Sequence, residues 1–248
     1  MGAELRLGLD ESLNTLARAW RILDSLGLVD QIFNHISSAM KGPAEDLVMV
    51  MNPYGYLPDQ VDSQNLRVCR LREYSSYEAA ALGVNPDGLR LHSLLHTLRM
   101  REGVVVHTHS LHCVAVGCSN HGLLPLTQTA MEFIGDLEII EFEGVFRSHG
   151  LTSQLRELAE RGGVALLRNH GALVVADTVC EAVYLAYYVE EACKVQVATL
   201  SQGVPFKMPG ADAVANAHRE LRHDRPSAAK NFFDALSRRQ ASEGRRTT

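Results

Sequence analysis

Amphipathic helical patterns alternate with short apolar runs along this 248-residue chain, which places it in the α/β class, with helices covering a central sheet. Three stretches carry that reading. In "DESLNTLARAWRILDSLGL" (residues 10–28), Leu13, Leu16, Trp20 and Leu23 recur at helical spacing. The valine run 104–106 reads as a strand between two helical patterns. "GVALLRNHGALVVA" (163–176) is apolar on both sides of Arg168-Asn169-His170-Gly171, so it reads as two short strands joined by a tight turn.

The elements follow in order. Gly27 stands where the first helix would cap. "DLVMVMNPYGY" (46–56) is an apolar strand halted by Asn52-Pro53 and Gly55, because proline cannot continue a ladder. In "PDGLRLHSLLHTLRM" (86–100), leucines 91, 94, 95 and 98 form one helical stripe. "LHCVAVGCSN" (111–120) reads as a helix after the valine strand. Thr178 and Glu181 form a capping box that opens a long helix to about Leu200.

Composition bounds the function. With 46% hydrophobic residues and no Pro-rich or Ser/Gly-rich linker, the chain buries a substantial core and reads as one globular domain. No window approaches the roughly 18 consecutive apolar residues of a membrane span, and "MGAELRLGLDESLN" lacks the basic-then-apolar order of a signal peptide. A cytoplasmic protein with no membrane partner is therefore expected. Net charge is −5 overall; from Arg219 onward eight Lys/Arg face four Asp/Glu, a balance of +4 that leaves −9 for residues 1–218. An acidic body argues against a nucleic-acid partner, and the basic end, "SRRQASEGRRTT", reads as a solvated tail. Cysteines 69, 113, 118, 180 and 193 are odd in number with no C-x-x-C pair, so they are expected to be reduced packing residues.

Histidines carry the chemistry. In "GVVVHTHSLHC" (103–113), strand alternation points His107 and His109 the same way. Two convergent imidazoles are half of a transition-metal site, a pattern that core histidines bonded to backbone carbonyls also satisfy. His170, between a strand and Gly171, reads as a turn histidine whose ring is exposed to close backbone approach. His92 and His96 lie four apart on a helix, a ligand-pair spacing, yet no glutamate follows the first as in H-E-x-x-H, so they read as packing or subunit-contact residues.

Six motifs, in order and spacing, give the chain a family resemblance. "FNHISS" (33–38), "NPYG" (52–55), "NPDGLRLH" (85–92), "VVHTHS" (105–110), "GLLPLTQ" (122–128) and "LLRNHGALVV" (166–175) resemble the class II aldolase/adducin family from about residue 12 to about residue 205. The resemblance implies a single three-layer α/β/α domain around a largely antiparallel central sheet. Residues 1–218 are expected to form that domain, leaving 219–248 as a C-terminal helix and basic tail. The resemblance also implies His107, His109 and His170 as the three ligands of one divalent metal per chain, zinc first, with manganese or iron(II) as alternatives. A homotetramer with its active site at the subunit boundary is implied as well.

The sequence departs from the family pattern at one place. Where sugar-phosphate aldolases and epimerases of the family carry paired serines and then an acid, this chain has Pro86, Asp87 and Gly88. The phosphate-binding hydroxyls are absent and glycine fills the carboxylate slot, with Asp87 adjacent. An "NPDG" turn in which Asp87 bonds its own backbone is the competing reading.

The implied activity is a divalent-metal-dependent carbon–carbon lyase, of aldolase or decarboxylase type. Its small-molecule substrate would be a non-phosphorylated hydroxy or oxo carboxylic acid, passing through an enediolate stabilised by Lewis-acid polarisation. Asp87, Glu143 and Tyr54 are the candidate acid/base residues, with Tyr56 beside them, and Asn34 is a candidate substrate-binding amide. Two other classes share the resemblance: a three-histidine iron(II) oxygenase acting on an aromatic or hydroxy acid, and a non-catalytic adducin-like assembly protein.

Overall fold

A computed structural model describes residues 2–41, 46–72, 74–141 and 152–244. Its strands are β1 (His35–Lys41), β2 (Leu47–Met51), β3 (Arg67–Arg70), β4 (Gly103–Thr108), β5 (Glu138–Ile140), β6 (Gly163–Leu167) and β7 (Gly171–Ala176). They form one sheet in the order β3-β2-β1-β4-β7-β6-β5. Every pairing is antiparallel except that of β5 with β6. The α-helices are α1 (Gly2–Ser25), α2 (Ser76–Leu82), α3 (Pro86–Arg99), α4 (Leu111–Gly117), α5 (Gln128–Met131), α6 (Thr152–Arg161), α7 (Val179–Leu200) and α8 (Ala211–Gly244).

The strand period of two sorts the apolar side chains into layers. Val104 and Val106 of β4 join Ile36, Val164, Leu166 and Val174 in a core that α1, α4, α7 and α8 cover. Val105 points the other way, packing with Leu173 and Val175 against Leu91 and Leu95 of α3 and Leu155 and Leu158 of α6. Further along that second face, Met49 and Met51 meet Ala79 of α2 and Leu89 of α3. The result is the expected three-layer α/β/α arrangement, with central strands β1, β4 and β7 buried on both faces.

Helix α1 shows how the sequence sets an element. Leu16, Trp20 and Leu23 are fully buried, each contributing about 1.5–3 kcal/mol. The helix closes as Gly27 turns left-handed (φ +72°), with Leu28 donating to the Leu23 carbonyl at 3.0 Å and Gly27 to Asp24 at 2.8 Å. Upstream it starts at Gly2, earlier than the apolar stripe indicates.

Other expectations need correction. Leu94 of the α3 stripe is exposed, because His92, Ser93 and His96 take part of the buried face. Thr178 caps α7 by accepting the Glu181 N–H at 3.1 Å, but Glu181 turns its carboxylate to Arg225 at 3.5 Å instead of closing the box. All five cysteines are free thiols; Cys69, Cys113 and Cys193 are buried, whereas Cys118 is exposed and Cys180 half-buried. Helix α8 runs continuously through residue 219, and its Ala229 and Phe233 enter the main core. Among the described residues no helix is long and apolar enough to cross a membrane.

Candidate metal centre

Sheet register builds the site. His107 is the penultimate residue of β4 and lies opposite His35 on β1 and Leu173 on β7. Strand β4 ends at Thr108, so His109 stands one residue beyond the ladder and not within the strand as expected. His170 closes the β6–β7 turn, in which Asn169 takes a left-handed φ of +55°. One nitrogen from each of His107, His109 and His170 lies within 4.8 Å of the others. Their ring centroids are 4.8–5.0 Å apart.

Hydrogen bonds orient the rings. His107 Nδ1 donates to the Ala172 carbonyl at 3.0 Å, which leaves its Nε2 with a lone pair. His109 Nδ1 faces Asp30 Oδ2 at 3.4 Å, the carboxylate–histidine arrangement that presents Nε2 to a cation. Those two Nε2 atoms stand 3.1 Å apart. Two lone pairs at that distance repel unless something positive lies near both, and His170 completes a third side. The donor set fits a divalent transition ion with positions left open for a ligand.

Burial enforces the neutral state such a site needs. It holds His107 well below the usual histidine range, with His35, His170 and His109 adding to the effect. His170 is lowered by burial and by His109, and Asp87 partly opposes the change. Gly171 is required by close approach: a Cβ there would sit 2.2 Å from the Thr108 carbonyl oxygen, between His107 and His109.

The remaining expected residues have distinct placements. Asn34 is buried; its Oδ1 accepts the Asp30 N–H at 2.5 Å, shaping the turn that carries Asp30 to His109, while its Nδ2 has no hydrogen-bond partner among the described residues. Asn85 caps α3, its Oδ1 accepting the N–H groups of Asp87 and Gly88 at 3.0 Å each. Pro86 is therefore the first helical residue and Asp87 lies in the first turn, ion-paired with Arg90; "NPDG" starts a helix and is not a free-standing turn. Tyr54 and Tyr56 are exposed in the loop after β2, and the ring contact Tyr54 makes is with Phe33 at 6.4 Å. Glu143 lies outside the described residues.

His35 was missed by the sequence reading. Its imidazole stacks on His107 at 5.0 Å and 26° and fills the space over Gly88, where a Cβ would fall 2.7 Å from the ring. The space over Gly88 is thus occupied by the imidazole of a β1 residue. Behind it, His92 and His96 are fully buried inside the chain, so they are packing residues and not a subunit contact, and they stand outside the three-histidine group. The available signal was "HIS" at 35–37, a His-x-Ser spacing that puts both side chains on one strand face.

A mixed sheet between two helical layers, with three imidazoles converging at the end of its central strands, defines an α/β/α protein of the class II aldolase type. The chain belongs to the class II aldolase/adducin family: residues 14–197 match the profile described as "Class II Aldolase and Adducin N-terminal domain". It is 34% identical over 190 residues to the "Putative aldolase class 2 protein" of Caulobacter vibrioides, covering 76% of this chain and 72% of that one. It is 30% identical to mouse alpha-adducin over 188 residues, 75% of this chain but only 25% of adducin. Among solved structures, an aldolase II superfamily protein from Pseudomonas syringae superposes with a TM-score of 0.84 at 27% identity, covering 95% of this chain and 94% of that one. An L-fuculose 1-phosphate aldolase from Glaciozyma antarctica PI12 shares the fold, with a TM-score of 0.78 at 20% identity and coverage of 98% and 95%. Membership supports a metal-dependent, aldolase-type reading at the level of the family.

Proposed function

We propose that this chain is a divalent-metal-dependent carbon–carbon lyase acting on a non-phosphorylated hydroxy or oxo carboxylic acid, with His107, His109 and His170 holding one ion, zinc first among the candidates. The observation that carries the reading is the convergence of three imidazole nitrogens within 4.8 Å, two with their other nitrogen facing a backbone or carboxylate oxygen. A divalent ion held there supplies Lewis-acid polarisation of a substrate oxygen as the carbon–carbon bond breaks.

The chain's own residues shape the substrate class. Asn85 already takes the Asp87 and Gly88 amides, the donors a phosphate would seek at the start of α3, and the Asp87 carboxylate repels a dianion. Asp87, whose charge acts on His170, is the first acid/base candidate for a ligand in that corner. Tyr54 and Glu143 are the other acid/base candidates, and Asn34, whose Nδ2 has no partner among the described residues, is the candidate for substrate recognition. A homotetramer, resting on the family resemblance, and a cytoplasmic location, resting on the sequence pattern, are part of the same proposal.

A second reading has one observation in its favour. Among the described residues it is the His35 ring and not a carboxylate that stands over Gly88, and three imidazoles also suit iron(II) with an oxygen-activating role. One screen separates the two. Purified protein is assayed for metal, loaded with zinc, manganese or iron(II), and offered oxo acids, hydroxy acids, hydroxy-aromatic acids and sugar phosphates under nitrogen and under air. The lyase reading expects turnover of an acid under nitrogen. Efficient turnover of a sugar phosphate overturns the substrate class, and strict dependence on iron(II) and oxygen overturns the lyase. Full metal loading without turnover of any substrate would favour the adducin-like role.

A further inference from the structure

Behind the three ligands lies a buried polar chain that metal binding alone does not use. On β1, His35 and Ser37 are two residues apart and share a face; on α3, His92 and His96 are one helical turn apart. The two spacings match, so the pairs interlock. His35 Nδ1 meets His92 Nε2 at 3.3 Å, His92 Nδ1 meets Ser37 Oγ at 2.7 Å, and the same Oγ meets His96 Nε2 at 2.8 Å. All four side chains are buried. The far end is open, because His96 Nδ1 is a buried nitrogen with no hydrogen-bond partner among the described residues.

That open end sets the direction of every bond. A neutral imidazole has one N–H and one lone pair, and a hydroxyl has a single hydrogen. If the N–H groups ran from His35 toward His96, the chain would end in an orphaned N–H at His96 Nδ1. Were both imidazoles to donate into Ser37 Oγ, the hydroxyl hydrogen would be stranded in the core. In the third arrangement His96 Nε2–H donates to Ser37, the Ser37 hydroxyl to His92 Nδ1, and His92 Nε2–H to His35 Nδ1. Only a lone pair at His96 Nδ1 is then left over. Orphaned buried N–H groups are the rarer defect, so this arrangement is favoured.

We infer that Ser37, His92 and His96 are positioning residues that fix His35 as the Nε2–H tautomer, a neutral hydrogen-bond donor for an oxygen of the acid ligand held at the three-histidine centre. The inference rests on the proposed reading of that centre as the site of a chelating hydroxy or oxo acid. His35 is suitably placed, opposite His107 in the β1–β4 register, stacked on its ring and filling the space over Gly88. A donor there favours a ligand with an anionic oxygen in excess of those that chelate.

Neutron diffraction from zinc-loaded crystals exchanged into heavy water reads the chain directly. Deuterium is expected on His35 Nε2, His92 Nε2 and His96 Nε2, with the Ser37 deuteron directed at His92 Nδ1. Deuterium on His35 Nδ1 with Nε2 bare would overturn the tautomer assignment. Calorimetric titration of the zinc-loaded protein with oxalate tests the donor. His35→Phe is expected to weaken oxalate by between about tenfold and a hundredfold, the range for a hydrogen bond to a charged group, while His35→Gln keeps an N–H and retains most of the affinity. Ser37→Ala should weaken oxalate and Ser37→Thr should restore it, with zinc content unchanged in each. Unaltered oxalate affinity in zinc-replete His35→Phe would overturn the donor role. Failure of zinc-replete wild type to bind oxalate would instead sink the acid-ligand reading, leaving the tautomer to be decided by the neutron map.

Discussion

Replacing Gly171 with alanine should damage the metal centre more than it damages the fold. The added Cβ would stand 2.2 Å from the Thr108 carbonyl oxygen and 3.1 Å from His109 Cδ2. An ordinary carbon–oxygen contact is about 3.3 Å or more, so the two chain segments must part by roughly 1 Å. The obstacle is backbone, and it cannot rotate away. Thr108 is paired with Ala172, and the displaced segment lies between two of the three imidazoles. Overpacking of this kind costs roughly 1–3 kcal/mol, a fall in Tm of roughly 6 °C for a chain of this size. The loss of zinc affinity should lie between about tenfold and a hundredfold, the usual effect of disturbing the groups that orient metal ligands. Competition against a chromophoric chelator measures the affinity, and thermal unfolding of metal-free protein measures the fold. Gly210→Ala, where an added Cβ meets nothing within 4 Å, is the control and should leave both unchanged. If Gly171→Ala bound zinc like wild type and melted at the same temperature, the close approach of the β6–β7 turn to β4 would be refuted.

His107→Ala, His109→Ala and His170→Ala should each lose metal while the chain stays folded, read by elemental analysis beside circular dichroism; wild-type metal content in His170→Ala would remove that residue from the ligand set. Acid should destabilise the metal-free protein steeply: burial depresses His35, His92, His96 and His107 in the fold, His96 to about 3, whereas the unfolded chain binds those protons below about 6.5. The unfolded state therefore holds more protons as pH falls from 6.5 toward 3, and each imidazole that stays neutral removes up to about 1.4 kcal/mol per pH unit, so urea midpoints flat between pH 7 and 5 would contradict the depression. The buried pair of Arg225 on α8 with Glu132, 2.7 Å apart and joined by the Tyr184 hydroxyl, predicts a loss of about 3–5 kcal/mol for Arg225→Ala, checked by chemical unfolding; a change under 1 kcal/mol would show the pair is dispensable.

What the sequence disclosed of the fold follows how locally each element is written. The β4 valines, the paired runs around Arg168–His170 and the α1 stripe are apolar at one clear period, and each became the expected element. Strand β1 was silent because "HISSAMK" puts His35 and Ser37 on a buried face, so burial there does not read as hydrophobicity. β3 has four residues, two of them arginines, and β5 only three; neither is long enough to show a period. The boundary drawn at residue 219 followed charge, while α8 follows packing: Ala229, Phe233 and Leu236 enter the core, and Arg225 is buried with them.

The site divides along the same line. His107 and His109 are separated by one residue, and His170 is marked by its turn and by Gly171, so each proposed ligand carries its own local sign. His35 carries none. Its place beside His107 depends on the β1–β4 register, a relation between residues 72 positions apart that no short window contains. The glycine at 88 is the counterpart of that register: with a side chain at 88, the His35 ring could not lie where it does, and with the ring there a carboxylate at 88 has no room. Read along the chain, glycine in that slot looks like a lost catalytic group; read across the sheet, it is the space that admits an imidazole. Substituting Gly88 alone with glutamate should therefore fail to install an acid beside the metal centre, because the His35 ring must first be removed. His35→Ala combined with Gly88→Glu is the variant that would accommodate the carboxylate. A crystal structure of Gly88→Glu with both the carboxylate and an undisplaced His35 ring beside His107 would refute that exclusion.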